Sequence, residues 1–184
     1  MPEGDKSVMD YKIGDKVVYP NHGVGVIEQI SYGIISGRTE TYYMLRITSN
    51  SLKVMVPRSN AEAVGLRPVV RNGETSKVLD YLEKGKFNSH HDWKHRFKEN
   101  SERMRTGSLL EVAVVLKSLV ALSRTKPLSF REKKMLERAK YLLITELATA
   151  RGMSAENMEN VLVKSLAKAH LRMPVTTDDA SAAD

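Results

Sequence analysis

The sequence predicts an α+β protein of two domains: a small twisted β-barrel followed by a compact all-α domain of about five helices. Two observations carry this reading. The hydrophobic period changes near residue 72, from short β-branched and aromatic runs to apolar positions recurring every three or four residues. The charge changes with it. Residues 1–70 carry 8 basic and 7 acidic side chains, residues 71–150 carry 17 and 10, and residues 151–184 carry 4 and 5, so the excess lies in the middle segment.

The strands come first. DKVVYP (15–20), GVGVIEQIS (23–31), TYYMLRIT (41–48) and LKVMVP (52–57) are runs of strand length and composition. Turn signals separate them: Pro20-Asn21-His22-Gly23, Ser36-Gly37-Arg38 and Ser49-Asn50-Ser51. Gly23 and Gly25 lack the third glycine and the following helix of a dinucleotide loop, and are expected to serve positive φ or a bulge. SNAEAVGLR (59–67) adds a short helical turn before a last extended piece, PVV. Asn72-Gly73 is taken to close the module. The β domain then spans 11–72 after a flexible N-terminus, 1–10, and the helical domain spans 73–173.

Thr75 or Ser76 is expected to cap the first helix, KVLDYLEKG, which stops at Gly85. A second helix covers 90–105, with Ser89 or Asp92 at its start and Gly107 just past its end. Ser108-Leu-Leu-Glu111 and Ser129-Phe-Arg-Glu132 read as capping boxes opening the third and fourth helices, the fourth running to about Arg151-Gly152. A fifth begins near Ser154 and fades before Pro174; residues 174–184, ending TTDDASAAD, form an acidic tail expected to be disordered.

Composition narrows the function. With no cysteine, thiolate metal sites, disulfides and cysteine nucleophiles are excluded. No apolar run is long enough to cross a bilayer and no signal peptide is evident, so a cytoplasmic protein is expected. His91 and His95 are spaced to share a helix face, but no third ligand stands at a metal-binding spacing. His22 reads as a turn residue. Without a GxSxG or comparable signature, neither catalysis nor a cofactor is expected.

The basic helix holds the chain's only tryptophan, in HHDWKHRFKEN (90–100). On a 3.6-residue period Trp93, Arg96, Phe97 and Asn100 share one side, with Lys94, Lys98 and Arg105 on the flanks and Phe97 and Met104 toward the core. Two readings stay open. Trp93 either staples the helix to its neighbours, or projects outward as an aromatic wedge for nucleic acid with cations on the phosphates.

IGDKVVYPNHGVGVIEQI (13–30) followed by VMVPRSNAEAVGLRPV (54–69) resembles the N-terminal module of the bacterial CarD/CdnL transcription regulators. DWKHRFKEN (92–100) and LSFREKKMLERAKYLLITELA (128–148) continue the resemblance, in order, over roughly 11–170. It implies a Tudor-like, SH3-like first domain that binds the β subunit of RNA polymerase and has a relative in the transcription-repair coupling factor. It also implies a helical domain lying on promoter DNA at the upstream edge of the transcription bubble. There a tryptophan, here Trp93, wedges into the minor groove, with basic positions matching Arg96, Lys98 and Lys133. The polymerase contact would fall on Gly33, Ile35, Arg46, Lys53, Met55 and Pro57; Gly33 and Met55 stand where some relatives have arginine, which makes this face more apolar. Ending in TTDDASAAD where longer relatives carry a basic, disordered DNA-binding tail, the chain resembles the short, stand-alone members. The implied protein is a non-enzymatic monomer with no membrane association. The alternative is a protein-protein adaptor whose basic helices are only a solvated surface.

Overall fold

The computed structural model describes residues 9–87 and 92–175. The expected N-terminal segment up to residue 8, the candidate cap Ser89, His90 and His91, and the tail from residue 176 lie outside the described residues. The chain divides into two compact units, meeting between Val69 and Val70.

In the first unit, β1 (Lys16–Tyr19), β2 (Gly23–Ile35), β3 (Arg38–Ile47), β4 (Lys53–Pro57) and β5 (Arg67–Pro68) form one antiparallel sheet in the order β4-β3-β2-β1-β5. A short 3-10 turn, Arg58–Asn60, precedes β5. Tyr43, Leu45 and Val56 alternate with more exposed neighbours and close, with Val17 and Ile27, over a core completed by Tyr11, Ala61 and Leu66. Alternation is what a half-buried strand requires, because successive side chains leave opposite faces. Three expected turns are present: Asn21 and Gly23, Ser36 and Gly37, and Ser51 take positive φ. Gly25 is needed for a different reason, since a Cβ there would stand 3.1 Å from the Arg46 carbonyl oxygen. The ladder slips between Ile27 and Gln29, inserting Glu28 as a bulge.

The β2–β3 hairpin is longer than the sequence runs indicate. Ser36 and Gly37 alone connect the strands, so pairing continues through Gly33↔Glu40 to Ile35↔Arg38. Both connecting residues have positive φ, the twist that matches a two-residue hairpin.

The second unit contains, among the described residues, α1 (Asn72–Lys84), α2 (Trp93–Arg105), α3 (Leu109–Ser123), α4 (Phe130–Arg151) and α5 (Ala155–Lys168). Their core includes Leu82, Met104, Leu116, Leu119, Leu143, Leu147, Met158 and Leu162. The α3 run LLEVAVVLKSLVAL is buried along most of its length, as expected of the apolar helix at the centre of a bundle.

Two helix starts depart from the sequence reading. Thr75 and Ser76 do not cap α1. They lie within it and bond back to the carbonyls of Arg71 and Asn72, while Arg71 holds the cap position and its N–H donates to Glu74. Asn72 and Gly73 therefore open a helix and do not close the sheet module. At α3, Ser108 accepts from the Glu111 N–H, but the Glu111 carboxylate goes to Arg103 instead of back to the cap. The α4 box is complete, with Ser129 and Glu132 each accepting the other's N–H, and Gly152 ends that helix at φ 63°.

Candidate functional site

Two surfaces collect the residues singled out by the sequence, one on each unit. On the sheet, β3–β4 pairing sets Arg46 opposite Lys53, Met44 opposite Met55 and Tyr42 opposite Pro57. On β2, Gly33 and Ile35 fall opposite Glu40 and Arg38. Period two then puts Gly33, Ile35, Arg46, Lys53, Met55 and Pro57 on one face, opposite to the buried Tyr43, Leu45 and Val56. Met55 is 54% exposed and Ile35 55%.

Tyr42 and Met44 lie on the same face, and sequence reading did not single them out. They alternate with Tyr43 and Leu45 inside one apolar run, so the strand register was the missing signal. The Tyr42 ring covers Gly33: a Cβ there would sit 3.1 Å from its Cε2. The glycine gives the aromatic a flat seat across the strands. Part of the charge on this face is paired, because Arg46 and Lys53 both approach the Glu28 carboxylate at the bulge.

The second surface is the corner where α2 and α4 begin. Asp92 opens α2, its carboxylate accepting the Lys94 N–H at 3.1 Å. Trp93 is the first helical residue and is 51% exposed, so about half of its surface lies in water. Lys94 Nζ stands 6.0 Å from its ring centroid, the outer range of a cation–π contact. Lys98 and Lys133 are exposed, as are Arg131 and Lys134.

Arg96 corrects the sequence reading. Taken there as a phosphate contact, it is only 5% exposed and donates to Glu132 at 2.9 Å. The spacing explains this: Arg96, Asn100 and Met104 recur every four residues and form the buried line of α2. Phe97, expected in the core, is half-buried and carries the Arg131 guanidinium 5.9 Å from its ring.

Glu132 therefore serves two helices, closing the α4 cap and receiving Arg96 from α2. Burial pushes its carboxyl up, but the Ser129 N–H, the Arg96 guanidinium and the Ser129 hydroxyl outweigh that, holding it below the usual carboxylate range. The pair ties the first turn of α2, which carries Trp93, to the first turn of α4. Sequence reading found Glu132 as a cap and Arg96 as a cation, but nothing local joins positions 36 residues apart.

No group of His, Cys, Asp or Glu among the described residues is arranged to hold a metal ion. None of the helices described is long and apolar enough to cross a membrane.

Comparison with known proteins gives these surfaces a context. Residues 11–70 match the family model described as the CarD-like/TRCF RID domain, and residues 77–163 match the CarD C-terminal domain. A curated relative, "Putative transcription factor YdeB" of Bacillus subtilis (strain 168), is 31% identical over 150 residues, covering 82% of this chain and 98% of its own. The chain belongs to the CarD/CdnL family. A solved structure, "CdnLNt from Myxoccoccus xanthus", is 35% identical, covers 37% of this chain and 94% of its own, with a TM-score of 0.29.

As a CarD-family member the protein is a transcription factor associated with RNA polymerase. The family is in general non-enzymatic. The polymerase-associated family model falls on the unit that carries the Met55 face, and the CarD C-terminal model on the unit that carries Trp93.

Proposed function

We propose that this CarD-family protein holds promoter complexes open, docking its sheet unit on the polymerase β subunit and inserting Trp93 into the minor groove at the upstream edge of the bubble. The observation that carries the reading is the setting of Trp93: half-exposed beside Lys94, on a first turn of α2 that the buried Arg96–Glu132 pair ties to α4. An apolar wedge unstacks a base step at a cost of a few kcal/mol, offset by contacts to the bent duplex. Exposed Lys98 and Lys133 supply phosphate contacts. Arg96 positions the wedge and leaves the phosphates to them.

On the sheet unit, the docking face is Gly33, Ile35, Arg46, Lys53, Met55 and Pro57, joined by Tyr42 and Met44. Its cations are partly neutralised by Glu28, which favours an apolar contact. Sequence preference should be weak, because the minor groove offers a degenerate code and lysines read phosphate. The test is the lifetime of open complexes on a weak promoter with wild type and with Trp93→Ala. A shorter lifetime with polymerase binding retained supports the wedge, and an unchanged lifetime rejects it. A pull-down of the β subunit by the sheet unit's face, lost in Met55→Glu, separates this reading from a general adaptor.

A further inference from the structure

The Trp93 corner exposes a second large ring. Phe130 is the first residue of α4 and is 74% exposed, more than Trp93 itself. The α4 start does not need it: Ser129 and Glu132 complete the cap between themselves, and Leu128 and Leu136 supply the buried contacts on either side. The ring stands in water beside a cation, an arrangement that suits a partner offering both flat apolar faces and negative charge.

The surroundings say what kind of partner. Lys134 Nζ lies 5.5 Å from the Phe130 ring centroid, and exposed Arg131 and Lys133 stand beside it in sequence. Lys134 has Glu137 at 3.9 Å, while the nearer carboxylate in sequence, Glu132, is buried and bound to Arg96. The exposed surface around Phe130 is therefore aromatic and positive, complementary to a polyanion with flat apolar faces. Two contacts join the first turns of α2 and α4, which carry Trp93 and Phe130: Arg96 reaches Glu132 at 2.9 Å, and the Arg131 guanidinium lies 5.9 Å from the Phe97 ring centroid.

We infer that Phe130 is a second aromatic contact to DNA, packing on a base or deoxyribose of the same duplex that receives Trp93, with Arg131, Lys133 and Lys134 on the flanking phosphates. The inference rests on the reading of Trp93 as a DNA wedge. A base or sugar face accepts any aromatic ring, so this contact adds grip without sequence preference.

The experiment is a fluorescence-anisotropy titration of the full chain onto a fluorescein-labelled duplex with a short mismatched bubble, over a range of salt. Phe130→Ala should weaken binding by about 5-fold or more, the lower end for loss of one aromatic–base contact. Its salt dependence should match wild type, because no charge is lost. Lys134→Ala should instead reduce the salt slope by about one. Phe130→Tyr, which keeps the ring, should bind like wild type, and circular dichroism should show all variants folded. If Phe130→Ala binds as wild type while Trp93→Ala is weakened, Phe130 is no DNA contact and the wedge reading survives. If both bind as wild type, the wedge reading falls with it. If Phe130→Ala spares DNA binding and weakens polymerase binding, the ring serves a protein and the inference is overturned.

Discussion

Trp93 and Arg96 stand three residues apart on α2 and play opposite parts. The tryptophan, apolar, is half in water; the arginine, charged, is buried against Glu132. Exposure makes Trp93→Ala a clean probe: its fold and thermal unfolding should stay near wild type, as surface substitutions usually do within about 0.5 kcal/mol. Burial makes Arg96→Ala a disruptive one. It leaves the Glu132 carboxylate in the interior without its cation, a change that costs about 3–5 kcal/mol. Chemical denaturation would measure this; a loss below about 1 kcal/mol would mean the pair contributes little. At Met55, 54% exposed on the sheet face, Met55→Glu should abolish polymerase β-subunit binding in a pull-down and leave DNA binding by the helical unit intact.

At the scale of elements, the joint between α2 and α4 should depend on pH, with a definite sign. Glu132 is held below its ordinary pKa in the folded state, so the stability it contributes is fully present above the unfolded value, about 4.3, and is lost as pH falls through the folded value. Melting temperatures of wild type and Glu132→Gln should therefore differ at neutral pH and converge in acid; a gap independent of pH would contradict the assignment. A second joint closes α1. Lys117, from α3, donates to the carbonyls of Tyr81 and Gly85 at the end of that helix. Lys117→Met should leave the Gly85 carbonyl without this donor, while Tyr81 keeps the Gly85 N–H, and lower stability by about 1–3 kcal/mol, measurable by denaturation.

The helix ends at Arg151-Gly152 and the cap at Ser129 were readable because caps are local chemistry. The start of α1 was misread because Thr75 and Ser76 bond equally well inside a first turn as at its edge. The full hairpin reach to Ile35 was hidden, since Gly33 and Thr39 look like loop residues until the strands are paired. Phe130 was not singled out, because nothing in the run it opens, FREKKML, marks an aromatic at the first helical position as exposed.

For the whole molecule, one chain carries two surfaces on two compact units. On the proposed function, a sheet face docked on polymerase would raise the local concentration of the helical unit at the promoter, so neither contact would need high affinity alone. The basic excess behind the net charge of +7 lies in the helical unit, the unit proposed to meet DNA. The most direct test of the account is the lifetime of open complexes on a weak promoter, measured across salt with wild type and Trp93→Ala. The account predicts that wild type lengthens the lifetime and that folded, polymerase-bound Trp93→Ala does so by at least several-fold less at every salt, given the cost of unstacking a base step. Equal lifetimes for the two proteins would contradict it.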